Sequence, residues 1–223
     1  MIYSGNKSSK LFELITEAIN KDYPTLTTRL VDDQVYIKGT LRIKDYNNKE
    51  LDGFLIEAIV PNNFPKDIPI IREIGGKIPC TPERHLDAPY GNACLEFRDA
   101  IFFKWDENCT IIDFIKKFVE PFFLWQIEYK LTGGKNKNQA FEHGVDGAIQ
   151  FYSEILNTND NKIIVSFVKY LTKKKIKGHW PCYCGSGIIL RKCHVDTLVK
   201  YREKIRRKDA GRTLVDFKKV GII

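Results

Sequence analysis

Two groups of residues in this sequence have the types and spacing for chemistry. The first surrounds Cys94 in the stretch His85-Leu-Asp-Ala-Pro-Tyr-Gly-Asn-Ala-Cys94-Leu95-Glu96. The turn signal Pro89-Tyr90-Gly91-Asn92 precedes the cysteine and one apolar residue follows it, a placement that lets a loop offer sulfur to a partner without burying it. A thiol of ordinary pKa, near 8.5, is about 3% thiolate at pH 7, and that fraction is strongly nucleophilic toward an activated acyl group. The second group is Cys182-Tyr-Cys184-Gly185-Ser-Gly187 followed by Cys193-His194, three thiols and an imidazole within thirteen residues. Tetrahedral zinc prefers these ligands, and the two glycines permit the tight turn that a pair spaced by one residue requires. Four protein ligands fill the shell, so the expected cofactor is a structural zinc ion with no open position for water.

Cys80 and Cys109 are the rival nucleophiles. Cys80 follows Pro79 after Gly75-Gly76, and Cys109 stands before an apolar run with helical spacing, where a helix N-terminus could depress its pKa. No Ser-His-Asp arrangement is readable, and none is needed if the substrate arrives already activated.

The elements that must position these residues are legible from periodicity. Leu11, Leu14, Ile15, Ala18 and Ile19 form a helical stripe over residues 7–21, with Ser8 or Ser9 as the expected N-cap. After the turn pair Asp32-Asp33 the pattern becomes period two, with Val35, Ile37, Leu41 and Ile43 on one face. Asn47-Asn48 marks another turn, Leu51 to Val60 another strand, and Ile68 to Ile74 a third apolar run, which together predict an antiparallel meander. Pro61, Pro65 and Pro69 forbid an interior strand between the last two runs, and Phe64-Pro65 is a candidate cis bond.

After Cys94, Asp106 or Asn108 is the expected cap of a helix bearing Ile111, Ile115, Phe118, Phe122 and Phe123, which Pro121 should bend or restart. Thr132 to Asn138 reads as a linker, and helical spacing returns over residues 140–156 and 161–175. Past the zinc ligands, Asp196 is the expected cap of a helix that Gly211 ends. The division is therefore 1–132, a first α+β domain; 133–177, a linker with bridging helices; and 178–223, a zinc module with a C-terminal helix.

Composition sets the outer limits. A chain of 223 residues with 43% hydrophobic and 12% aromatic side chains can bury a substantial core. The N-terminus lacks the apolar stretch of a secretory signal and no run reaches the length of a membrane span, so a cytoplasmic protein with no membrane partner is expected. Scattered single cysteines suit a reducing compartment. The net charge of +8 is concentrated after residue 160. It reads as solvated helix faces, because Asp and Glu stay interleaved through the chain, and the sparse aromatic residues of the C-terminal helix and the cysteine-rich segment, Tyr183 and Tyr201, count against a nucleic-acid partner.

Taken in order, the helix, the meander, the proline-ruled connection, the thiol loop and the second helix resemble the ubiquitin-conjugating enzyme family over residues 7–130. The family's F-P-x-x-Y-P-x-x-x-P pattern is echoed from Val60-Pro61 to Ile68-Pro69, its H-P-N by His85-Leu86-Asp87, its G-x-x-C-L by Gly91-Asn92-Ala93-Cys94-Leu95, and its later tryptophan by Trp105. The resemblance implies a UBC-like fold in which Cys94 takes the C-terminus of a ubiquitin-like protein as a thioester and passes it to an acceptor amine on a protein. It also implies that His85 holds the loop instead of acting as a base. The family's asparagine falls at Asp87, whose carboxylate would repel a developing oxyanion, and Asn92 is the alternative amide donor. The second group resembles the SEC-C motif, C-x-C-x8-C-[HC], matched at all four ligands, which implies an interaction module.

The combination is similar to bacterial conjugating-enzyme relatives of anti-phage (CBASS-type) operons. That implies the C-terminal tail of a cyclic-oligonucleotide synthase as an alternative donor, with a separate activating enzyme and a homodimer both compatible. The competing reading is a catalytically inactive UBC-like module or scaffold that grips C-terminal tails.

Overall fold

A computed structural model of the chain describes residues 5–135 and 144–223. It is an α+β protein with a six-stranded antiparallel sheet. Contacts divide it into two compact units, Met1–Leu95 with Asp106–Ala140, and Glu96–Trp105 with Phe141–Ile223. Residues 96–105, expected in the first domain, fall in the second unit. The helices expected as a bridge share that unit with the zinc-type ligands.

In the first unit, helix α1 (Gly5–Asp22) buries Ile15 and Ile19, while Leu14, read as part of the stripe, is 59% exposed. Ser8 lies inside the helix, a turn from its start, so neither Ser8 nor Ser9 is its cap. Strands β1 (Leu26–Val31), β2 (Gln34–Lys44), β3 (Glu50–Val60) and β4 (Ile70–Glu73) pair in sequence order. Asp32 and Asp33 both adopt positive φ, 49° and 60°, the conformation a two-residue hairpin needs to match the twist of its strands. Val35, Ile37, Leu41 and Ile43 of β2 and Phe54, Ile56, Ala58 and Val60 of β3 all point into the core, as the alternation required. Between β3 and β4 the chain leaves the sheet, and Phe64-Pro65 is cis.

Beyond the thiol loop, Thr110 is the N-cap of α3 (Ile111–Phe114), not Asp106 or Asn108. Its hydroxyl accepts from the Asp113 amide while Asp113 accepts from the Thr110 amide, a reciprocal box that satisfies two otherwise orphaned donors. The helix widens into a π-turn at Ile115–Val119 and resumes as α4 (Glu120–Thr132) with Pro121 in its first turn. Proline cannot donate to the preceding turn, and the wider turn absorbs that missing bond. Gly133 closes α4 in the left-handed conformation. The remainder of the expected linker, from residue 136, and the start of the helix expected from 140 lie outside the described residues.

The second unit comprises α2 (Arg98–Lys104), α5 (Gly144–Leu156), α6 (Asn161–Leu171), α7 (Val195–Lys204) and α8 (Arg207–Lys219). Phe167 is fully buried among the rings of Tyr152, Tyr183 and Tyr201. Asp99 of α2 is buried too, accepting bonds from the hydroxyls of Tyr152 (2.7 Å) and Thr213 (3.0 Å). Burial pushes its carboxyl up to about 6 against those two hydrogen bonds. Asp209, equally buried, gathers Arg98, Arg206 and Arg212 at 3.0, 2.5 and 3.2 Å. Gly211 lies within α8 and ends nothing; the break falls between α7 and α8, at Ile205 and Arg206. No described helix is long and apolar enough to cross a membrane.

Candidate functional site

The stretch around Cys94, expected as an irregular loop, forms a short hairpin. Strand β5 (Leu86–Asp87) pairs with β6 (Asn92–Ala93), and β6 pairs with β4 through Arg72 and Asn92, so the hairpin extends the sheet. The Gly91 amide donates to Asp87 O (2.9 Å) and the Cys94 amide to His85 O (2.8 Å). Gly91 has φ +65°, and its carbonyl accepts from the Glu73 amide at 3.0 Å. A Cβ at this position would stand 2.4 Å from Glu73 O, so glycine alone lets the hairpin close on β4. Backbone hydrogen bonds thus hold both Gly91 and Cys94 itself.

The other end of the hairpin is tied down from helix α4. Arg84 Nε donates to Gln126 Oε1 (2.8 Å), and Gln126 Nε2 donates back to Arg84 O (2.7 Å). The Arg84 guanidinium lies over the Tyr129 ring at 4.4 Å. His85, buried and at φ +51°, meets Trp125 edge to face with centroids 5.2 Å apart. Sequence reading missed Arg84 and Gln126, since no local pattern links residues forty-two positions apart.

Cys94 is half-buried. Burial first, and the charge of Asp87 second, push its thiol up to about 11. At pH 7 the thiolate fraction is then about 0.01%, far below the few per cent expected of an ordinary cysteine. Asp87 is exposed. Asn92 accepts a bond from Arg72 Nε at 3.0 Å through Oδ1, which leaves its amide nitrogen as the donor. Arg72 is held in turn by Glu57 at 3.4 Å and lies over the Tyr90 ring. Of the rival thiols, Cys80 is exposed and Cys109 half-buried, just outside the cap of α3.

In the second unit, Cys182, Cys184, Cys193 and His194 bring their ligand atoms within 4.8 Å of one another, a group able to hold a metal ion. Cys184 Sγ and Cys193 Sγ are 3.7 Å apart, and His194 Nδ1 lies 3.3 Å from Cys182 Sγ and 3.1 Å from Cys193 Sγ. Zn–S bonds of about 2.3 Å at tetrahedral angles place sulfurs about 3.75 Å apart, so the thiol pair has the edge length such an ion needs. Gly185 and Gly187 both adopt φ +75°, as the tight turn demanded. The Cys182 amide donates to Ile188 O and the Gly185 amide to Cys182 O.

Tyr183, between the first two ligands, is buried against Phe167 and anchors the cluster in the helical core. His194 itself is the N-cap of α7, and Asp196 falls in its first turn instead of capping it. Burial raises the Cys182 thiol to about 11. For Cys184, hydrogen bonds from Ser186 and the neighbouring thiols outweigh burial and bring it down to about 6. Compared with known proteins, the chain matches no protein-family model and no curated protein sequence.

Proposed function

We propose that this protein is a ubiquitin-conjugating-enzyme-like carrier with a UBC-like fold, in which Cys94 bears the C-terminus of a ubiquitin-like protein or a cyclic-oligonucleotide synthase as a thioester. The observation that carries this reading is the hairpin ending at Cys94, clamped by main-chain bonds to β4 and by Gln126 to α4. In the first step the Cys94 sulfur attacks the donor's thioester carbonyl. A new C–S bond forms, the old one breaks, and the departing thiolate takes the proton that Cys94 releases. In the second, an acceptor amine displaces Cys94, an amide forms, and the cysteine regains a proton from the amine.

The high thiol pKa bears on both steps. Burial penalises the thiolate that must form in order to attack and not the neutral thioester that results, so it slows acylation without destabilising the acylated state. The same feature makes Cys94 a slow leaving group, which suits a carrier that must hold its cargo against water. Asp87 opposes an oxyanion, but it attracts a cationic amine and can take its proton.

The cluster of Cys182, Cys184, Cys193 and His194 would hold structural zinc in a SEC-C-like module. The combination favours a place in bacterial anti-phage conjugation, in the cytoplasm, with a separate activating enzyme and a protein acceptor. The second reading, an inactive module that grips C-terminal tails, is favoured by the same raised thiol and by Asp87.

Expression together with the neighbouring genes distinguishes them. The carrier yields an adduct on non-reducing gels that thiol reductant removes and Cys94→Ala abolishes. An adduct that survives Cys94→Ala, or none at all, leaves the binding module.

A further inference from the structure

Between Asp160 and Asp196 the chain contains eight lysines and arginines and no aspartate or glutamate, and eight is also the excess of positive charge of the entire chain. Elsewhere in the same unit four basic side chains have carboxylate partners: Arg98, Arg206 and Arg212 converge on Asp209, and Lys219 pairs with Asp216. Lys173, Lys174, Lys175, Lys177, Arg191 and Lys192 are all exposed, and among the described residues none has an ion-pair partner.

The fold brings the chain that follows this lysine run beside Arg191 and Lys192. The Arg191 amide donates to Gly178 O (2.9 Å) and the Leu190 amide to Trp180 O (2.7 Å), so the segment after Lys177 runs beside the segment that carries Arg191 and Lys192. A Cβ on Gly178 would stand 2.9 Å from Arg191 Cβ, which places the arginine directly over the backbone between Lys177 and His179. Arg202 Nη2 donates to the carbonyls of Lys173 (2.5 Å) and Lys174 (2.8 Å) and holds the lysine run in place. Concentrating like charges costs stability, a cost that a bound polyanion would relieve.

An aromatic group stands among these cations. Trp180 is half-buried, its ring 5.4 Å from that of Tyr170, and the Tyr170 hydroxyl is fixed by donating to Pro181 O at 2.7 Å. Tyr183 and Tyr201, the aromatic residues that the sequence offered for stacking, are instead packed against Phe167. A braced indole within a basic patch fits a nucleobase between phosphates better than it fits an acidic peptide, which has no π-face to stack.

We infer that this surface binds single-stranded nucleic acid, with the six cations on phosphates and Trp180 stacked on a base. The inference is independent of whether Cys94 carries an acyl group. The test is fluorescence anisotropy of the full, zinc-loaded chain with labelled oligo(dT) and oligo(U) of twenty nucleotides. With four to six phosphates neutralised, raising salt from 50 to 200 mM should weaken binding by about 50- to 300-fold.

Lys174→Gln/Lys175→Gln/Lys177→Gln should flatten the logarithmic salt slope by about two units. Trp180→Ala should cost between about fivefold and a hundredfold at fixed salt, and Trp180→Phe less. Zinc content and melting temperature establish that each variant is folded, and Cys94→Ala should bind as the parent chain does. Absence of binding at 50 mM salt overturns the inference. So does an affinity indifferent to the lysine and tryptophan changes, or tighter binding to phosphatidylserine vesicles that Trp180→Ala leaves untouched.

Discussion

Replacing Asp87 by asparagine should make Cys94 a better nucleophile, and the structure bounds by how much. The thiol rises from the ordinary cysteine range to about 11, with burial the larger cause and Asp87 the second. The carboxylate therefore accounts for less than half of that rise, about one pKa unit at most, or roughly 1.4 kcal/mol between thiol and thiolate. Asp87→Asn leaves the burial in place and should raise the thiolate population at pH 7 by between about twofold and tenfold. The assay is the alkylation rate of the Cys94-containing peptide by iodoacetamide between pH 7 and 10, read by mass spectrometry in a zinc-loaded Cys80→Ser/Cys109→Ser background. Parent and variant should diverge most at neutral pH and converge above the higher pKa. Equal rates throughout, or slower alkylation of the variant, would refute the reasoning, because the Asp87 charge would then not act on the sulfur.

Other perturbations test the frame around the two sites. Asp99 is raised to about 6 from the usual carboxylate range, so the stability its protonated form contributes is present at low pH and lost as pH rises through 6. Relative to Asp99→Asn, the parent should lose about 1 kcal/mol between pH 5 and 7 in urea unfolding; a parallel pH dependence of the two proteins contradicts this. Gly91→Ala forces a Cβ to within 2.4 Å of Glu73 O. It should cost about 1–3 kcal/mol and speed hydrogen exchange at the Glu73 and Cys94 amides, and unchanged protection would show that the hairpin does not depend on that close approach. Cys184→Ser or chelation should lower the melting temperature of the second unit by about 15 °C or more and leave the first in place. A single unshifted transition would remove the metal from the account.

Much of the scaffold was readable because its signals are local. The alternation of Val35, Ile37, Leu41 and Ile43 and the pair Asp32-Asp33 predicted strand β2 and the turn before it. Four ligands within thirteen residues needed only one tight turn to meet. Strand β1 was not read, because Leu-Thr-Thr-Arg-Leu-Val offers little apolar contrast between its faces. The hairpin of Leu86–Ala93 was not read either, since two-residue strands have no period and depend on β4 and Gly91 for partners.

Residues 96–105, expected with the first domain, group with the second unit for a further reason. Asp99 looks like a surface charge in sequence, yet the hydroxyls that make its burial tolerable come from Tyr152 and Thr213, 53 and 114 positions away. Long-range polar satisfaction of this kind leaves no mark on local pattern, and the same holds for the Arg84–Gln126 clamp.

The central claim is that the Cys94 sulfur carries an acyl group. Its most direct measurement is the intact mass of Cys94→Ser, purified from cells that also express the neighbouring genes. Serine in this position would trap the donor as an oxyester. A protein-sized mass increase, mapped to residue 94 and removed by mild alkali, is the predicted result. A chain that returns only its own mass, while the unmodified protein still captures C-terminal tails, would contradict transfer and leave binding as its role.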